Sequence, residues 1–169
     1  MKYKCKEYKV VEEYLDEIIV VKVNEYWFKD KLEKAEIYCP NSKALKFMDS
    51  NLTVNAVNAS IQTEIYCAEK YISKKKDVEC NDFSIPRCVY IIEKYGKQDI
   101  VVKVVFDPSD SEVIVCHPSL DNMPVSYKKE LFRKKIEEEV RTCEKAISYG
   151  VILPVSECFL NKDINKKVR

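Results

Sequence analysis

The sequence predicts an α+β fold: two tandem βββα repeats, each a three-stranded antiparallel meander plus a helix, packed as one pseudo-two-fold domain. Three observations point there. "VVEEYLDEIIVVKV" (Val10 to Val23) matches "IIEKYGKQDIVVKV" (Ile91 to Val104) at seven of 14 positions when the chain is shifted by 81, Glu12/Glu93 and Tyr14/Tyr95 among them. The order of elements after each window also repeats. "EIYCPNS" (Glu36 to Ser42) and "VIVCHPS" (Val113 to Ser119) are strand-like runs that end at a Cys and a Pro-Ser break, and a helix-like stretch follows each. Finally, "IIVV" (Ile18 to Val21) and "IVVKVVF" (Ile100 to Phe106) are apolar on both strand faces. A helix covers only one face of a sheet, so the second face calls for cover from the other repeat, face to face or as one continuous sheet.

The first repeat occupies residues 1–80. Strands are expected near Tyr8 to Glu13 and Glu17 to Phe28, followed by the charged turn "KDKLEK" and a strand at Ala35 to Cys39. Residues 41–57 read as an insertion with a short helix and room for an extra strand. A helix from about Ser60 to Lys75 sets Ile61, Ile65, Ala68 and Ile72 on one face. Residues 74–86 form the connector.

The second repeat spans 81–169 and includes a C-terminal tail. Cys88 to Lys94 and Asp99 to Phe106 read as strands around a turn in which Gly96 supplies positive φ. "DPSD" (Asp107 to Asp110) is a type I turn signal before a third strand, Ser111 to Cys116. A helix over Val125 to Tyr149 has Ser126 as N-cap, the stripe Phe132, Ile136, Val140, Cys143 and Ile147, and Gly150 as C′. "VILPV" (Val151 to Val155) reads as a short edge strand.

Composition narrows the function. A net charge of +1 leaves no global field for nucleic acid or an anionic membrane. No stretch approaches the roughly 20 apolar residues of a membrane span, and the basic start lacks the apolar region of a signal peptide. The eight cysteines then read as reduced thiols of a cytoplasmic or nuclear protein. Two glycines are too few for a Gly-rich phosphate loop.

Candidate sites are sparse. Cys116 and His117 are adjacent, but strand neighbours point to opposite faces and do not form a dyad, which leaves an exposed imidazole at a strand end. Cys80 and Cys88 are too far apart for a structural zinc pair. No catalytic residue, metal ligand or cofactor is therefore assigned, and the reading leans away from an enzyme. Glu137-Glu138-Glu139 reads as the solvated face of the long helix. Lys128, Lys129, Arg133, Lys134 and Lys135 could form a phosphate-binding stripe on helix 126–149. Tyr26, Trp27 and Phe28, three consecutive aromatics beside a charged turn, are the partner-binding candidates. The leading expectation is a non-catalytic protein–protein interaction or adaptor module that binds another protein or itself. A nucleic-acid-binding accessory protein ranks second, and an enzyme with an unrecognised site third.

Overall fold

Leu15 and Asp16 both take positive φ (48° and 63°), the backbone of a two-residue type I′ turn. They join β1 (Lys4–Tyr14) to β2 (Glu17–Phe28) in the computed structural model of the chain. The structure describes residues 2–50, 52–79, 87–106, 111–121 and 123–153. Lys29 and Asp30 repeat the turn geometry (48° and 61°) and lead into β3 (Lys31–Cys39). Beyond the end of the β2–β3 ladder the Asn41 carboxamide takes over. It accepts from the Val20 N–H at 3.0 Å and donates to the Ile18 carbonyl at 2.9 Å, so the β2 backbone stays satisfied. β4 (Ala44–Met48) pairs with β3. Thr53 then starts α1 (Val54–Lys75), its hydroxyl accepting from the Ala56 N–H at 3.0 Å.

The chain returns through β5 (Arg87–Tyr95) and β6 (Gln98–Phe106), joined at Gly96, whose φ is 62°. β7 (Glu112–His117) and β8 (Met123–Lys128) follow, then α2 (Phe132–Ser148). One antiparallel sheet results, with strand order β4-β3-β2-β1-β5-β6-β7-β8. At its centre β1 pairs with β5, Val10 opposite Ile91.

Both helices lie on one face. α1 buries Val57, Ile61, Ile65, Ala68 and Ile72 against Val10, Tyr14, Val21 and Ile37. α2 buries Ile136, Val140 and Cys143 against Ile100, Val102, Val104, Val113 and Val115. The opposite face holds a smaller cluster of Val11, Val20 and Tyr90. Among the described residues no helix covers that second face, so the expected cover from the other repeat is not found there.

Several expectations need correction. Four strands, not three, precede each helix, because residues 44–48 and 123–128 both pair as strands. Residues 41–57 supply β4 and the first turn of α1, which starts six residues before Ser60. The helix expected over 126–149 begins at Phe132. Ser126 sits in β8 opposite Ile114, and its hydroxyl donates to Glu112 instead of capping a helix. Gly150 does close α2: its N–H reaches the Ile147 carbonyl at 2.9 Å and the Val151 N–H reaches Ala146 at 3.1 Å, a Schellman motif. Val151 to Leu153 carry no strand. The expected Asp107–Asp110 turn, Cys80, Pro154, Val155 and the tail lie outside the described residues.

Candidate functional site: the groove between the helices

Because α1 covers β1–β3 and α2 covers β6 and β7, the sheet centre between them is left as a floor. The result is a groove of about 970 Å³, walled by α1 and α2. Its middle is apolar. Val10, Val89 and Ile91 form the floor, with Ile61 and Ile65 on one wall and Ile136 and Val140 on the other. Strand alternation explains the floor: Val10 and Ile91 are ladder partners and so share a face.

The same alternation turns charged groups inward at both ends. On β1, Lys6, Tyr8, Val10 and Glu12 face the groove; on β5, Arg87, Val89, Ile91 and Glu93 do. At one end Arg87 donates to Glu69 of α1 at 2.8 Å and lies 3.7 Å from Glu12. At the other end Lys6 lies 3.4 Å from Glu93, and Glu144 of α2 stands beside it. Glu12 and Glu93 are only 4% and 3% exposed. In each, the second carboxyl oxygen, Oε2, has no hydrogen-bond partner. Burial, reinforced by Glu69 and opposed by Arg87, pushes Glu12 up to about 8. Burial and Glu144 likewise raise Glu93, against Lys6.

Glu25 is the satisfied counterpart. Its carboxylate accepts from the Tyr8 hydroxyl at 2.6 Å and from the Trp27 indole N–H at 3.0 Å. This fixes Trp27, half-buried, in the groove lining beyond Lys6. Tyr26 and Phe28 lie on the opposite face, where each meets the Tyr3 ring edge-on. Of the three aromatic candidates, Trp27 alone lines the groove.

The basic candidates divide. Lys128 ends β8, and Lys129 lies in the short 3-10 turn before α2. Arg133 lines the groove and stacks on Phe132. Lys135 sits over the Tyr127 ring and pairs with Glu138 at 3.3 Å, while Lys134 is exposed. Residues two apart on a helix point in nearly opposite directions, so Arg133 and Lys135 serve different sides.

A second polar cluster lies behind α2. His117 is buried, not exposed as the sequence led us to expect. Its Nδ1 meets Glu139 and its Nε2 meets the Tyr127 hydroxyl at 2.6 Å. Glu139 also accepts from the Ser119 N–H at 3.0 Å and from its hydroxyl at 2.6 Å. Burial would raise Glu139, but the bonds from Ser119 and His117 outweigh it and hold the carboxyl below its ordinary range. Ser119 donates to the carboxylate and not to the imidazole, so Ser119 and His117 do not form a nucleophile–base pair. The cluster pins α2 to β7 and β8. The sequence reading missed Glu139 as a solvated-face residue, although it lies three residues after Ile136 and four before Cys143, on the buried stripe.

Among the described residues no group of His, Cys, Asp and Glu could hold a metal ion, and no helix is long and apolar enough to cross a membrane. No protein-family model, curated protein or solved structure matches the chain.

Proposed function

We propose that this chain is a non-catalytic protein-binding module and that its groove receives an extended segment of a partner protein. The observation that carries this reading is the groove: an apolar middle between two ends where buried carboxyl oxygens lack partners. Closed catalytic geometry is not what such an arrangement offers. It offers apolar area and unmet hydrogen-bonding capacity, which a bound chain can supply together. Trp27 at one end provides the aromatic anchor typical of binding hot spots.

The module reads as an internal duplication with a pseudo-two-fold axis between Val10 and Ile91. Adding 81 to Lys6, Val10 and Glu12 gives Arg87, Ile91 and Glu93, the same types of residue in the same order. The ladder supports the reading, since Val10 and Ile91 are direct partners and the ion pairs Lys6–Glu93 and Arg87–Glu12 exchange under the shift. On this reading the repeats divide near residue 80 and make one composite domain. Six free thiols among the described residues, Cys5, Cys39, Cys67, Cys88, Cys116 and Cys143, favour a cytoplasmic or nuclear setting.

A displayed library of random twelve-residue peptides, panned on the protein, tests the binding role. The enriched peptides should bind Trp27→Ala about tenfold or more weakly. Gln62→Trp, which sets a bulky ring on the exposed groove wall of α1, should weaken them similarly. Both variants should keep the cooperative melt of the parent protein. A library that yields no binder, or binders indifferent to both substitutions in folded protein, would refute the proposal.

A further inference from the structure

We infer that the groove selects an extended segment with two cationic side chains four residues apart and an apolar side chain midway, one cation docking at Glu12 and the other at Glu93. This rests on the reading of the groove as a peptide site and specifies what the peptide carries.

Charge supports the cations. At each end two carboxyl groups share one base: Glu12 and Glu69 share Arg87, and Glu93 and Glu144 stand beside Lys6. With Arg133 and Arg141 also in the lining, six carboxyl groups face four bases, so the groove as a whole lacks two positive charges when its acids are ionised. The orphan oxygens support the positions. A buried acceptor without a partner is destabilising, and a ligand cation that reaches it relieves this and gains a charge-assisted bond. Both atoms belong to residues that line the groove and are more than nine-tenths buried.

Spacing supports the pattern. Glu93 pairs with Tyr8, so in the ladder Glu12 and Glu93 are offset by four residues on neighbouring strands. At about 3.4 Å per residue along a strand and about 4.8 Å between strands, their Cα atoms are roughly 14 Å apart. The same rise puts side chains i and i+4 of an extended peptide about 13.6 Å apart on one side of the chain. Side chain i+2 then falls between them, over Val10 and Ile91. That apolar midpoint distinguishes the peptide from a linear polyamine, whose inner nitrogens would rest on the apolar floor.

Fluorescence polarisation with defined peptides at about pH 9, above the value of about 8 to which Glu12 is raised, tests the inference. The probe is a labelled nine-residue peptide, Thr-Thr-Arg-Thr-Val-Thr-Arg-Thr-Thr. Controls replace both arginines by glutamine, move one arginine to give a spacing of three, or replace valine by serine; spermine is a further probe. The two-arginine peptide should bind at least about tenfold more tightly than every control and than spermine. Glu12→Gln and Glu93→Gln should each weaken it about tenfold, and the double variant about a hundredfold, with melts showing all three folded. If the glutamine peptide binds as well as the arginine peptide and Gln62→Trp still blocks it, the cationic pattern is wrong and the groove reading stands. If the two-arginine peptide binds equally to the double variant, the pattern is likewise wrong. If no peptide binds, or spermine alone does, the peptide reading falls too.

Discussion

At Glu12, a carboxyl pushed up to about 8 from an ordinary 4.5 ties stability to pH. A raised folded-state value means that the native chain holds the proton more tightly than the unfolded chain does. The stability this contributes is present in full below about 4.5 and is lost as pH rises through about 8. Glu93 is shifted in the same direction. Glu139 is shifted the other way, so its contribution is present above the ordinary carboxyl range and is lost as pH falls below it. Urea midpoints of the wild type should therefore fall between pH 5 and pH 8. Glu12→Gln should flatten that decline and exceed the wild type at pH 8. Parallel curves for the two proteins would contradict the assignment of the titration to Glu12. The sequence held part of this site openly, for Glu12 and Glu93 are identical residues in the matched windows. Their inward direction was hidden because Val10 and Val11 are both apolar, so alternation alone does not say which face is the core.

Among the elements, the two helix ends form a natural comparison. Gly150 closes α2 with φ of 86°, while exposed Asp77 takes φ of 56° at the equivalent point after α1. The Val78 N–H reaches the Ser73 carbonyl at 2.9 Å, so this end is also a Schellman motif. A Cβ is strained at positive φ, and a carboxylate faces the negative end of the helix dipole. Asp77→Gly should stabilise the fold by about 1 kcal/mol, and Gly150→Ala should destabilise it by a similar amount. Chemical denaturation of both variants checks the pair, and a loss in Asp77→Gly would contradict the cap geometry. Gly150 was readable as a stop because glycine at C′ is a local signal. β8 was not, since "SYKKELF" offers a cap and good helix formers, and only its pairing with β7 makes residues 123–128 a strand. β4 was likewise legible only as room for an extra strand, because five residues on the sheet edge carry little pattern.

For the whole molecule, the eight-stranded order brings β1 and β5 together at the centre and leaves a floor that neither helix covers. The α+β class followed from periodicity and repeated windows. The groove did not, because its lining comes from β1, β2, β5, β6, α1 and α2, and convergence of that kind leaves no local signature. Net charge was also a poor guide: a total of +1 conceals six acids and four bases along one groove. Trp27 stood out in the sequence as one of three aromatics beside a charged turn, but its place beside Glu25 depended on the β1–β2 register. Methyl-selective NMR titration with the two-arginine peptide tests the central claim most directly. The account predicts shifts at the groove methyls of Val10, Ile61, Ile65, Val89, Ile91, Ile136 and Val140, with Val11, Val20, Ile92 and Ile114 on the far face unmoved. Shifts concentrated on the far-face methyls, with the groove set unchanged, would contradict it.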